Sequence, residues 1–136
     1  MADDCIFCKI IKGEIPSFKI YEDDYTYAFL DIAKDMDGHT LVIPKNHCRS
    51  MLECSAEDLG HVMETVQKIS RHYIEDCGYD GVNLFNCTNE CAHQSVFHFH
   101  MHILPRKIYD GQNLVPKMPG AKVSLEETFK ALKLSE

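Results

Sequence analysis

Apolar and polar residues change their spacing several times along the chain, and each change marks an element. Residues 5–12 read as a short helix, with Gly13 suited to its end. Residues 18–21 and 25–30 are two β-prone runs separated by Glu22, Asp23 and Asp24, a hairpin pattern. Gly38 marks a turn before a third strand at 39–43, which Pro44 is expected to stop. Ser55 and Asp58 form a capping signal. Leu59, Val62, Met63, Val66, Ile69 and Tyr73 then repeat with helical period until Gly78. Residues 81–85 and 95–104 read as two more strands, the second closed by Pro105. Turn chemistry recurs at Asp110-Gly111 and Pro119-Gly120, and Ser124 with Glu127 opens a last short helix. Consecutive strands without strict βαβ alternation predict an α+β fold on a mainly antiparallel sheet.

A length of 136 residues predicts one domain, 1–136, able to bury a core without staples. Apolar residues at 45% and charged residues at 26% describe a globular chain rather than a disordered one. The net charge of −7 argues against nucleic acid as a partner but leaves room for one phosphate in a local site. The acidic, mixed start does not read as a secretory signal, and no apolar run is long enough to span a membrane. A cytoplasmic location, extending to the nucleus, is therefore expected, and the Asn86-Cys87-Thr88 sequon has no secretory route to use it. Seven cysteines, an odd number, read as reduced thiols with some available to a metal.

The eight histidines change the picture more, because three alternate in Gln94-Ser95-Val96-Phe97-His98-Phe99-His100-Met101-His102-Ile103. On a strand, His98, His100 and His102 share one face while Phe97, Phe99, Met101 and Ile103 anchor the other. Neutral imidazoles on one face can fix each other's tautomers, making one a nucleophile while its partners donate to an anion. Three surface histidines and a three-histidine metal site are the other readings of the same pattern. Cys5-Ile6-Phe7-Cys8 has the spacing of a two-thiolate grip on a metal, and also that of two small residues packing a helix or of a redox pair. Cys48, Cys54, Cys77, Cys87 and Cys91 read as packing or surface thiols, His61 and His72 as structural or solvent-facing, and His39 as a buried hydrogen-bonding residue.

These blocks together resemble the histidine triad (HIT) family, in its Hint-like, zinc-containing branch. The ladder carries the resemblance with Ile6-Phe7, Glu14-Ile15-Pro16, Phe29-Leu30-Asp31-Ile32, and the run from Gly38 to Lys45 with His47. It covers residues 4–106; the tail 107–136 diverges and is the candidate for setting leaving-group specificity. The resemblance implies a homodimer that binds a purine nucleotide such as AMP and cleaves a bond to the α-phosphate of a nucleoside phosphoramidate or related conjugate. His100 would attack phosphorus, His102 would donate to phosphate or leaving-group oxygens, and Ser95 and Gln94 would contact phosphate and help the leaving group depart. Asp31 would accept from the ribose hydroxyls, Phe7, Ile10 and Ile32 would wall the base, and Asn86 would face the phosphate. The loop 86–93 lacks the family's glycines and is one residue longer, and no C-terminal Trp is present. Cys5, Cys8, His47 and His98 match a structural zinc set. A zinc-stapled binding or interaction module with little turnover is the alternative.

Overall fold

The computed structural model describes residues 4–114 and 117–135. In chain order the elements are α1 (Ile6–Ile11), β1 (Lys19–Glu22), β2 (Thr26–Leu30), β3 (Thr40–Pro44), α2 (Ala56–Glu75), β4 (Gly81–Phe85), β5 (Met101–Arg106) and α3 (Leu125–Leu132). A single 3-10 turn, Glu90–Ala92, lies between β4 and β5. The strands form one antiparallel sheet in the order β1-β2-β3-β5-β4, so the fold is α+β as the pattern predicts.

Local chemistry accounts for the element ends. Ser55 Oγ accepts from the Asp58 N–H at 3.0 Å to open α2, and Ser124 does the same from Glu127 at 3.2 Å to open α3. Asp23 Oδ1 accepts from the N–H groups of Tyr25 and Thr26, both at 2.8 Å, which closes the β1–β2 hairpin. Gly38 is needed twice over. Its φ of +78° suits glycine, and a Cβ there would meet Pro105 Cγ at 2.7 Å.

The central strands are buried on both faces. On one face Ala28, Val42 and Ile103 pack against Val62, Val66, Ile69 and Tyr73 of α2. On the other, Tyr27, Phe29, Leu41 and Ile43 meet Phe7 and Ile10 of α1. Alternation along β2 and β3 thus feeds two cores, and each apolar side chain removed from water contributes about 1.5–3 kcal/mol. Leu41 lies opposite His102 in the register, so the α1 face is also the face of the ladder.

Three expectations need correction. The strand expected over 95–104 is shorter and later, Met101–Arg106, and only His102 of the ladder lies in it. Pairing with β3 ends at Val42–Met101. The lead-in is held instead by the Phe99 N–H on Cys48 O at 2.8 Å and His98 Nε2 on Pro44 O at 2.9 Å. Pro105 sits inside β5 rather than closing it, because β3 pairs no further than Thr40–Ile103 and does not need its missing N–H. Cys48 and Cys54 form a disulfide instead of remaining thiols. The turn at Ser50, which accepts from the N–H groups of Glu53 and Cys54, brings their Cα atoms to 5.3 Å. Among the described residues no helix is long and apolar enough to cross a membrane.

Candidate active site and metal centre

The Cys-x-x-Cys pair spans the first turn of α1. Cys5 is the N-cap, its Sγ accepting from the Cys8 N–H at 3.4 Å, so both sulfurs lie on one side of the turn. Phe7 and Ile10 seat the helix on the sheet, and the sulfurs then meet His47, just past β3, and His98 in the lead-in to β5. Cys5 Sγ and Cys8 Sγ lie 3.4 and 3.6 Å from His98 Nδ1. Cys8 Sγ lies 3.4 Å from His47 Nδ1, and the two Nδ1 atoms are 3.2 Å apart. A tetrahedral ion with bonds of about 2.0–2.1 Å to nitrogen and about 2.3 Å to sulfur requires N–N edges of about 3.3 Å and N–S edges of about 3.6 Å. The cluster has those spacings, and these four residues can hold a metal ion.

The state of His98 suits that role. The Pro44 carbonyl accepts from Nε2, which fixes the proton there and turns the Nδ1 lone pair toward the sulfurs. Burial pushes the imidazole down to about 4, so it is neutral, the form that ligates.

His100 and His102 have different partners. His100 Nδ1 donates to the His98 carbonyl at 2.7 Å, leaving Nε2 with its lone pair for other use. Burial lowers the His100 imidazole below its ordinary range, against the opposing effects of that carbonyl and of Asp31. Phe7 presents its ring edge-on at 5.2 Å, and the His100 and His102 ring centres are 4.9 Å apart. His102 Nδ1 shares a hydrogen bond with His39 Nε2 at 2.9 Å, and His39 Nδ1 donates to the Asp35 carboxylate, 3.0 Å from each oxygen. Burial first, then the neighbouring His100 and His39, push His102 down to about 4.

Two cavities of about 250 and 240 Å³ meet at Ser95, His100 and His102. Phe7, Ile10, Asp31 and Ile32 line the first. Phe85, Cys87, His93, Leu104 and Leu114 help line the second. The Asp31 carboxylate accepts from the Ala33 N–H at 2.8 Å, and its other oxygen lies 3.7 Å from His39 Nε2. Gln94 and Asn86 line neither cavity. The Gln94 amide donates to Arg49 O and Val96 O and accepts from the Asn89 N–H, bracing the loop 89–96. Asn86 Nδ2 donates to the His100 carbonyl at 3.0 Å, so its side chain holds the backbone of the central histidine. Sequence reading assigned His39 a buried hydrogen bond but missed its partners. The available signal was parity, since His39 precedes Leu41 by two and Leu41 opposes His102.

Comparison with known proteins fixes the relationship. The HIT domain family model matches residues 12–108. The chain belongs to the HIT family. Protein hit of Bacillus subtilis is 50% identical over 105 residues, covering 77% of this chain and 72% of that protein. The adenosine 5'-monophosphoramidase hnt1 of Schizosaccharomyces pombe is 42% identical over 102 residues, 75% of this chain and 74% of its own. Among solved structures, a HIT family protein of Bacillus anthracis superposes with a TM-score of 0.83 at 41% identity, covering 96% of this chain and 94% of the other. A zinc-bound histidine triad family protein of Mycobacterium smegmatis gives 0.78 at 35% identity, over 86% and 84%. The HIT sheet is thus the scaffold on which both histidine groups stand, and some relatives carry names of nucleotide-processing hydrolases.

Proposed function

We propose that this HIT protein hydrolyses the bond between the α-phosphate and the leaving group of a nucleoside phosphoramidate, or of a related nucleotide conjugate, through a nucleotidyl intermediate on His100. The observation that carries the reading is the His100 Nδ1–His98 carbonyl bond, 2.7 Å long, which leaves Nε2 as a nucleophile where the two cavities meet. Nε2 attacks phosphorus as the P–N bond breaks, and water then displaces the imidazole, so one difficult displacement becomes two easier ones. Base and ribose occupy the cavity walled by Phe7, Ile10 and Ile32, where the Asp31 carboxylate accepts from the ribose hydroxyls. Ser95 and His102 donate to phosphate and leaving group. Asn86 and Gln94 act at the phosphate through the backbone they hold, the His100 carbonyl and the loop 89–96.

Zinc is the metal proposed for Cys5, Cys8, His47 and His98, since two thiolates and two imidazoles suit a closed tetrahedral site. Bound there, it supplies a cross-link between α1 and the lead-in to β5 and leaves His98 outside the proton transfers. A homodimer is proposed through the sheet edge at β4. Leu84 and Phe85 are exposed there, and a groove of about 300 Å³ between α2 and β4 presents Met63 and Ile74.

Incubation with an adenosine phosphoramidate tests the reading. The wild type releases AMP and His100→Ala does not, while both bind AMP. Binding of AMP by the wild type without release contradicts the hydrolase and leaves a nucleotide-binding module.

A further inference from the structure

We propose that Asp35, acting through His39, is a positioning residue that supplies His102 with the proton it gives to a leaving amine. This rests on the hydrolase reading above and narrows its substrate class to conjugates whose leaving group must be protonated to depart.

A carboxylate only accepts, so the contact of both Asp35 oxygens with His39 Nδ1 places a proton on that nitrogen. His39 Nε2 and His102 Nδ1, 2.9 Å apart, then hold one proton between them. With that proton on His102, both rings are neutral and His102 Nε2 is a bare acceptor. With one proton more, His39 is the cation, His102 Nδ1 accepts from it, and His102 Nε2 carries a hydrogen at the junction of the cavities. The site of the charge decides which state is useful. On His39 it lies 3.0 Å from Asp35 and 3.7 Å from Asp31. Among the described residues, His102 has no carboxylate within ion-pair distance. Burial, which holds His102 down to about 4, opposes a cation on that ring but not a neutral ring bearing the hydrogen on Nε2. Although partial burial works against it, the His39 hydrogen bond and charge hold the Asp35 carboxyl below the usual carboxylate range.

The 2.9 Å nitrogen separation also argues against the other use of Asp31, His39 and His102, as a metal site. It is a hydrogen-bond distance, shorter than the N–N edge of about 3.3 Å that a tetrahedral ion imposes.

The protons balance over both steps. As His100 Nε2 bonds to phosphorus and the P–N bond breaks, the amine nitrogen takes the hydrogen from His102 Nε2. His102 Nδ1 takes the proton from His39 Nε2, and the pair becomes neutral. When water attacks the nucleotidyl imidazole, His102 Nε2 accepts the water proton and Nδ1 returns its own to His39. The same pair is acid in the first step and base in the second.

The experiment uses the full chain in excess over substrate, so that only the first step is read, with two adenosine 5'-monophosphate conjugates. One carries an alkylamine, which must be protonated; the other carries 4-nitrophenol, which departs as phenolate. Asp35→Asn keeps a hydrogen-bond acceptor but loses the charge, at a side chain that is 54% exposed. It slows amine release by about tenfold or more and nitrophenolate release by less than about threefold, and Asp35→Glu recovers most of the amine rate. Equal slowing of both substrates, or slowing of neither, overturns the role of Asp35. A wild type that binds AMP yet releases neither group overturns the hydrolase reading itself, a result visible before any variant is made.

Discussion

The two histidine groups of this protein sit side by side and differ in the spacing of their nitrogens. At His47 and His98 the facing Nδ1 atoms are 3.2 Å apart with two sulfurs 3.4–3.6 Å away, and the spare nitrogen of His98 is tied to a carbonyl. At His39 and His102 the facing nitrogens are 2.9 Å apart, and the chain of bonds ends on a carboxylate. The first spacing fits around an ion, and the second fits a shared proton. Imidazole serves both because each ring has two nitrogens, and the partner of one determines the use of the other. Phe7 packs in T-shaped contact with His98 at 5.9 Å and with His100 at 5.2 Å, and His100 in turn stands 4.9 Å from His102, so one line of packing joins the two groups.

The two groups separate most visibly at His100. His100→Ala lowers turnover by about 10³-fold or more while the metal content per chain stays at the wild-type value, checked by AMP release and elemental analysis. Loss of metal with activity would merge the two groups into one site. Cys8→Ala, at a fully buried position, does the reverse: metal is lost and the protein is destabilised by about 3 kcal/mol or more, lowering the melting temperature by roughly 10 °C. A chelator produces the same fall in the wild type and no further fall in the variant.

Gly38→Ala probes the proton-sharing group alone. Its Cβ would meet Pro105 Cγ at 2.7 Å on a backbone with φ of +78°, costing about 1–3 kcal/mol by urea unfolding, with the metal retained. The displacement falls next to His39, so turnover drops as well.

The smallest effect is on pH dependence. His102 is held down to about 4, below its ordinary 6.5. The unfolded chain therefore takes up the proton first as pH falls. This residue's contribution to stability is full above 6.5, declines between 6.5 and about 4, and changes no further below that. Urea midpoints across that window show a shallower decline in His102→Gln than in the wild type.

Much of this was legible in spacing. Ser55 and Ser124 announced their helices, the alternation at 98, 100 and 102 announced the ladder, and Cys5-x-x-Cys8 announced one end of the cluster that can hold a metal ion. What escaped depends on contacts distant in sequence. The pairing of His39 with His102 follows from the β3–β5 register, and Asp35 reaches His39 only through the turn before β3. The Cys48–Cys54 bridge depends on the Ser50 turn, and the late start of β5 on the lead-in bonding to Cys48 and to the last residue of β3, Pro44, instead of running in ladder register. Asn86 and Gln94 were legible as polar residues beside the site, but not as residues whose amide nitrogens donate to backbone carbonyls.

Native mass spectrometry of the full chain during turnover of an adenosine phosphoramidate reads both groups at once. One zinc per chain is expected in the wild type and in His100→Ala, with a transient adenylyl mass only in the wild type, mapped to His100 by fragmentation. An adenylyl mass on another residue, or zinc missing from His100→Ala, would contradict the division of the histidines between metal and phosphate.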